Sequence, residues 1–255
     1  MVINNLKKIK FSSSHFLDEV TKKKQIYLHH TAGNGDGEGV FRWWASTPDR
    51  VATFAVVSGD GRIIQGFDSD KWAYHLGLGT KHFKPFNLPY INLDKMSVGI
   101  EICNWGYLKP RQGKDGVEYV NYVGGVIPDD QVTKLDELYK GYMYWHSYSD
   151  AQIESVRLLL LELSKKHGIE IVYNPDIFGL TKRAFEGSPG LYTHDICGCL
   201  WSKTDSRLII SNTSNTREFE SLFAIAEPSL GFSQNPSSIE LKSLIMAQIE
   251  RWRQA

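Results

Sequence analysis

The sequence predicts an α/β protein, because short apolar runs typical of strands are interspersed with segments typical of helices. The chain has 255 residues, 42% of them hydrophobic, which is enough for one large core with or without a small appendix. An Asp-Gly pair between two apolar runs predicts a β-hairpin, and a strongly periodic helix follows a capping box. The predicted strands cover 25–29, 51–57, 62–66, 96–103 and 169–173, and the predicted helices cover 41–46 and 149–168.

The ends of the chain and the stretch 104–148 show weaker patterns of secondary structure than the predicted strands and helices. Residues 1–24 are predicted to be a lead-in, with a helix start at Ser12-Ser13-Ser14 and Lys22-Lys23-Lys24 on a solvated face. A composition shift after residue 210 divides the chain into a domain at 1–210 and a C-terminal helical extension at 211–255. Residues 104–148 form a long polar and aromatic insertion without a clear period, and such long loops are usually functional or mobile.

Composition excludes several classes of function. The chain has 29 basic and 29 acidic side chains, so no net positive field attracts nucleic acid. Its longest apolar run, 158–161, is too short to span a bilayer, and its N-terminus lacks the apolar core of a signal peptide. Three cysteines, an odd count, argue against a disulfide framework. We therefore expect synthesis in the cytoplasm and no membrane insertion.

Two distant histidines and an aspartate make a candidate metal site. His29 ends an apolar strand, whereas His194 and Asp205 lie far downstream with Lys203 between them. Two imidazoles and one carboxylate form the ligand set of a catalytic zinc that keeps one position open for water. Lys203 would lie where negative charge develops during attack on an amide. The alternative third ligand is Cys199, although Cys197-Gly198-Cys199 is too tightly spaced for the usual zinc pair.

Glu101 is a candidate for proton transfer, because it interrupts an otherwise apolar strand. Burying a carboxylate is costly unless it is paired or functional, and a partly desolvated carboxylate can move protons. The alternative is a glutamate on an edge strand that faces solvent. Gly99, two positions earlier on the same strand face, would leave space beside the carboxylate. His30 would point away from His29, so we expect only His29 to bind a metal.

Six short segments occur in an order that resembles the type 2 zinc N-acetylmuramoyl-L-alanine amidases. This family includes phage endolysin amidases and the peptidoglycan recognition proteins. The resemblance covers about residues 20–210, and the ordered set is more specific than any one segment. The segments are Ile26-Tyr27-Leu28-His29-His30-Thr31-Ala32-Gly33, Asp60-Gly61-Arg62-Ile63, Tyr74-His75-Leu76-Gly77, Ser97-Val98-Gly99-Ile100-Glu101, Thr193-His194 and Lys203-Thr204-Asp205.

The resemblance implies a fold, a reaction and a set of roles. The fold is a mixed central β-sheet flanked by helices on both faces. The reaction is hydrolysis of the amide between N-acetylmuramic acid and L-alanine of a muropeptide. Zn²⁺ is held by His29, His194 and Asp205, Glu101 is the catalytic acid and base, and Lys203 stabilises the oxyanion. His75 matches a position that lines the substrate groove.

Two positions depart from the family pattern. Some members carry a tyrosine where this chain has Thr53-Phe54-Ala55, so we expect Glu101 to carry the proton transfers alone. Ser206 follows Asp205 in place of the usual proline. We expect a monomer that acts on the cell wall after release or delivery, and the stretch 97–104 favours phage lysis over a recycling amidase or a secreted effector. The alternative functions are a non-catalytic peptidoglycan receptor and a zinc endopeptidase that cuts the stem peptide.

Overall fold

The protein is an α/β structure built on a mixed six-stranded sheet with helices on both faces, as predicted. The computed structural model describes residues 3–171 and 181–194. In spatial order the strands of this central sheet are β1 (Leu6–Lys8), β4 (Ile63–Gln65), β3 (Ala55–Val57), β5 (Ser97–Ile102), β2 (Gln25–His30) and β11 (Gly190–Thr193). The helices are α1 (Gly37–Trp44), α2 (Thr80–Phe83), α3 (Asp150–His167) and α4 (Lys182–Phe185).

The middle of the central sheet is parallel. β2 pairs in parallel with β5 on one side and with β11 on the other, so their carboxyl ends share one edge of the sheet. β3 and β4 form the predicted antiparallel hairpin, although β3 begins at Ala55 rather than at residue 51. Gly61 in its turn has φ +82°, and a Cβ there would lie 2.7 Å from the carbonyl oxygen of Ala151, so the turn requires glycine.

Strand register assigns the helices to the two faces. Tyr27 and His29 share one face, and a Cβ at Gly37 of α1 would contact Val56 and Ile64 on that side of the sheet. α2 and α4 contribute Phe83, Ala184 and Phe185 to a cluster around Tyr27 and Tyr192. The apolar residues of α3 belong to the main core, which contains Ile26, Leu28, Val98 and Ile100 of the opposite face and also Val56 and Ile64.

Helix α3 has the ends that the sequence predicts. Ser149 accepts a hydrogen bond from the Gln152 backbone N–H, and the Gln152 side chain accepts one from the Ser149 backbone N–H, which completes the capping box. Gly168 ends the helix in the left-handed conformation, with φ +65°. The buried amide of Gln152 also donates to the carbonyl oxygen of Cys103 at 2.7 Å, so the helix start is fixed next to the end of β5.

The insertion at 104–148 is a folded sheet, which corrects the expectation of a long loop without regular structure. Its five strands are antiparallel, and the spatial order is β8-β7-β6-β10-β9. The bounds are β6 (Tyr107–Gln112), β7 (Val117–Val120), β8 (Val126–Ile127), β9 (Val132–Tyr139) and β10 (Tyr142–His146). We call this element the second sheet.

Three further expectations were wrong. The lead-in contributes strand β1, which pairs in parallel with β4, and no helix begins at Ser12. Lys23 is buried at 2% exposure, whereas Lys22 and Lys24 are exposed as predicted. The strand predicted at 169–173 is not present in residues 169–171, and residues 172–173 lie outside the described residues. Within residues 3–171 and 181–194, no helix is long and apolar enough to cross a membrane.

Candidate functional site

His29, Glu101 and His194 converge at the carboxyl edge of β2, β5 and β11. The register places His29 directly opposite Glu101. It also pairs Thr193 with Leu28, so the next residue, His194, lies beside His29. The ring centroids of His29 and His194 are 4.5 Å apart. Ligands usually bind at the carboxyl ends of parallel strands, and this edge brings together three residues from distant parts of the sequence.

His29 is buried between two polar partners. Its Nε2 lies 3.0 Å from Nδ1 of His75, and its Nδ1 lies 3.8 Å from the Glu101 carboxylate. Burial lowers the pKa of His29 well below its usual value, and the neighbouring His194 and His75 lower it further. The contact with Glu101 is therefore not an ion pair, because the imidazole is neutral. Neutral imidazole is the form that binds metal ions.

His75 is held in place from three directions. Its Nε2 lies 2.9 Å from Ser97 Oγ. The backbone N–H groups of His75 and Leu76 donate to one carboxylate oxygen of Asp94, at 2.7 and 2.8 Å. A Cβ at Gly99 would lie 2.9 Å from His75 Nδ1, so the space that Gly99 leaves is occupied by the His75 ring. Burial lowers the pKa of His75 to about 4.

Sequence reasoning missed Ser97 and Asp94. They lie 22 and 19 residues after His75, and neither breaks a local pattern in the way that Glu101 does. The only signal in the sequence is that Ser97 opens the apolar strand β5, on the same strand face as Gly99 and Glu101. That position puts the hydroxyl on the face that carries His29 and His75.

Glu101 is an interior residue of the sheet. β5 lies between β3 and β2, so the alternative of a glutamate on an edge strand is wrong. The Glu101 side chain is 14% exposed, and burial raises its pKa to about 8. A carboxyl group with a pKa near neutrality can accept and donate a proton under working conditions.

Some of the other candidate residues are described by the structure, and the rest lie outside the described residues. His30 is exposed, on the strand face opposite to His29. His194 Nε2 lies 3.3 Å from the carbonyl oxygen of Leu76. Lys203, Asp205, Cys197, Cys199 and the extension 211–255 lie outside the described residues. Within the described ranges no group of three His, Cys, Asp or Glu side chains is arranged to hold a metal ion.

The donor groups nevertheless fit part of a zinc site. His29 and His194 are adjacent imidazoles on a rigid sheet edge. The Nε2 of His29 is engaged by His75, while its Nδ1 faces Glu101. Metal-binding histidines usually have one ring nitrogen held by a protein group, which fixes the tautomer of the other. The edge thus offers two of the three predicted ligands, beside a carboxylate that could act on water.

Comparison with known proteins identifies a family. The family model for N-acetylmuramoyl-L-alanine amidase matches residues 20–206. No curated protein sequence matches the chain. Similar solved structures include Staphylococcus aureus hydrolase AmiA with its ligand (11% identity, 98% of this chain and 88% of that chain, TM-score 0.43). Others are a mutant endolysin from Bacillus subtilis (15%, 78% and 87%, 0.41) and a selenomethionine AmpD derivative (15%, 82% and 92%, 0.40).

Proposed function

Because the chain belongs to the N-acetylmuramoyl-L-alanine amidase family, we propose that it is a zinc-dependent hydrolase of peptidoglycan. The bond cut is the amide between the lactyl group of N-acetylmuramic acid and L-alanine of the stem peptide. The observation that carries this proposal is the meeting of His29, His194 and Glu101 at one sheet edge. A carboxyl beside two imidazoles, of which buried His29 is neutral, suits hydrolysis with a metal ion.

We assign the metal ligands to His29, His194 and Asp205. Held by these side chains, a zinc ion would polarise the scissile carbonyl and make the attacking water more acidic. His75 fixes the orientation of the His29 ring through the 3.0 Å contact between Nδ1 and Nε2. The predicted role of His75 in lining the substrate groove is compatible with this contact, since the residue is only partly buried.

Glu101 carries the proton transfers in this proposal. It accepts a proton from the attacking water and then donates it to the leaving nitrogen of L-alanine. The raised pKa of Glu101, about 8, supports both roles, because the carboxyl gains and loses its proton near neutral pH. Thr53 lies in the stretch where some family members carry a tyrosine, but it is buried and its hydroxyl donates a hydrogen bond to the carbonyl oxygen of Ala55 at 2.9 Å. Glu101 is therefore our candidate for the proton transfers. Lys203 would donate a hydrogen bond to the developing oxyanion.

The test is product mapping on purified sacculi, combined with zinc analysis of the protein. We expect about one zinc per chain and released peptides that begin with a free L-alanine amino group, while the glycan stays intact. Cuts within the stem peptide would identify an endopeptidase instead. Binding to sacculi without released products, by a zinc-free protein, would identify a receptor.

We further propose that the biological setting is phage-mediated lysis of the cell wall. The support is the endolysin-like stretch Ser97-Val98-Gly99-Ile100-Glu101-Ile102-Cys103-Asn104, which builds β5 and its link to the second sheet. Added to isolated cell walls, the protein should lower their turbidity. A recycling amidase would instead cleave soluble muropeptides and leave intact walls turbid.

A further inference from the structure

The second sheet places two aromatic side chains at the border of the candidate site. Trp105 lies in the link between β5 and β6, and Tyr122 lies in the turn between β7 and β8. Their ring centroids are 5.9 Å apart with an interplanar angle of 63°. Tyr122 is 52% exposed, and Trp105 is partly buried. We call these two residues the aromatic pair.

The aromatic pair is fixed to the loop that follows β2. The Tyr122 hydroxyl donates to the carbonyl oxygen of Ala32 at 2.7 Å. The same loop is bound to Asn104, which receives a hydrogen bond from the Gly33 backbone N–H at 3.0 Å. The Asn104 side chain in turn donates to the carbonyl oxygen of His146 in β10. The Tyr122 hydroxyl and the backbone next to Trp105 therefore belong to a network that joins the second sheet to the central sheet.

Chain connectivity limits the distance between the aromatic pair and the reacting groups. Ala32 follows His29 by three residues, and a chain of three residues spans at most about 10 Å. Trp105 follows Glu101 by four residues, which span at most about 14 Å. His29 and Glu101 are register partners on adjacent strands. Ala32, which accepts the hydrogen bond from Tyr122, therefore lies within about 10 Å of His29, and Trp105 lies within about 14 Å of Glu101.

We propose that the aromatic pair is a saccharide subsite that binds the glycan strand beside the muramic acid whose peptide is cleaved. This proposal rests on the proposed function. The scissile amide is attached to a glycan polymer, so the sugar rings next to the reacting muramic acid must lie close to the residues around the site. Aromatic rings offer flat apolar surfaces, which match the C–H faces of sugar rings. The Tyr122 ring is exposed for such a contact, while its hydroxyl is already engaged by Ala32.

The experiment compares a polymeric with a minimal substrate. Trp105→Leu and Tyr122→Ala remove a flat ring, whereas Tyr122→Phe keeps the ring and removes only the bond to Ala32. Kinetics are measured on solubilised glycan strands and on a muramoyl peptide that has a single sugar. We expect Trp105→Leu and Tyr122→Ala to raise KM about two- to tenfold on the polymer. KM on the minimal substrate should not change, and Tyr122→Phe should behave like wild type on both.

The control is Leu138→Ala, which removes an exposed apolar side chain from β9, at the opposite edge of the second sheet from β8. It should leave both KM values unchanged. An equal rise of KM on both substrates would overturn the proposal, since it would mean that the pair only supports the loop. Unchanged KM on the polymer would overturn it as well.

A failure of the proposed function would give a different result. If wild-type protein cut neither substrate, binding would be measured by co-sedimentation with sacculi. Wild type that binds while Trp105→Leu and Tyr122→Ala do not would support the saccharide subsite without the amidase reaction. Equal co-sedimentation of all three would overturn the subsite.

Discussion

The two ends of the central sheet both bury ionisable groups, but they compensate the charge differently. At the amino end, Lys23 lies just before β2 and is 2% exposed. Burial lowers the pKa of Lys23 to about 7, and the nearby carboxylates of Asp70, Asp94 and Glu19 oppose that shift. The Lys23 ammonium also donates to the carbonyl oxygen of Lys95 at 3.1 Å. Carboxylates of the same chain thus partly stabilise the buried Lys23 cation.

At the carboxyl end, the buried groups do not balance one another in this way. Burial is the cause that raises the pKa of Glu101, and the imidazole that faces it, His29, is held neutral. Buried groups with strongly shifted pKa values concentrate at functional sites, although structural networks shift them too. The amino end is therefore a structural network, whereas the carboxyl end suits a charged species from outside the chain.

The difference between the two ends of the sheet is tested most strongly by Glu101→Gln, for which we expect the largest loss of catalysis. Glutamine keeps the size of the side chain but cannot accept a proton. We expect turnover on sacculi to fall about 10²- to 10⁴-fold, with zinc content unchanged and the melting temperature equal or higher. Peptide release, metal analysis and thermal unfolding measure the three quantities.

The matched control for this change is Glu118→Gln in β7. Glu118 pairs with Arg111 on the second sheet, with its side chain 35% exposed, and we expect wild-type turnover from the variant. If Glu101→Gln released peptides as fast as wild type, Glu101 would not be the acid and base.

An intermediate effect is expected from the groups that orient His29. His75→Phe removes the partner of His29 Nε2, and Ser97→Ala removes the partner of His75 Nε2. Groups that orient a metal ligand typically contribute 10- to 100-fold to metal affinity. We therefore expect zinc affinity to weaken about 10- to 100-fold in His75→Phe and less in Ser97→Ala. Competition with a chromogenic chelator measures the affinity without reference to activity.

Ser46→Ala serves as the control. Ser46 lies just beyond the end of α1, is exposed, and donates a hydrogen bond from its hydroxyl to the carbonyl oxygen of Trp43. It should bind zinc like wild type. Unchanged zinc affinity in His75→Phe, combined with a raised KM, would show that His75 contacts the substrate instead of orienting His29.

Some of these features could be predicted from the sequence for a local physical reason. The strands β2 and β5 have short apolar stretches at their centres, Ile26-Tyr27-Leu28 and Val98-Gly99-Ile100, which predict buried strands. Glu101 stands out because a carboxyl in such a run is costly. The Asp-Gly turn specifies the β3–β4 hairpin within a few residues.

Other features depend on contacts that no local pattern contains. The second sheet was missed because β6 and β7 have few buried residues, so neither a continuous apolar run nor a clear alternation marks them. The roles of Asp94 and Ser97 arise only when His75 folds back onto β5. Lys23 was expected on a solvated face because it lies in a run of three lysines. It is buried instead, since it lies two residues before the start of the interior strand β2.

The smallest effect concerns stability at the amino end of the sheet. Lys23→Met replaces the buried cation with an apolar chain of similar length, and the carbonyl oxygen of Lys95 keeps its 2.7 Å hydrogen bond from Thr21 Oγ1. The pKa of Lys23 is about 7 in the folded protein and 10.5, its ordinary value, in the unfolded chain. Below about pH 7 both states are therefore protonated, and the folded protein bears the full cost of burying the charge. As pH rises from about 7 to 10.5, the unfolded chain binds more protons and wild-type stability increases.

Lys23→Met should therefore be more stable than wild type at pH 6, by on the order of 2 kcal/mol, and the difference should shrink at pH 9. Urea unfolding at the two pH values measures both quantities. Lys24→Met alters the exposed neighbour and should stay within about 0.5 kcal/mol of wild type. If Lys23→Met were the less stable protein at pH 6, attraction to Asp70, Asp94 and Glu19 would outweigh burial. The amino end would then be held together by its charges rather than merely compensated by them.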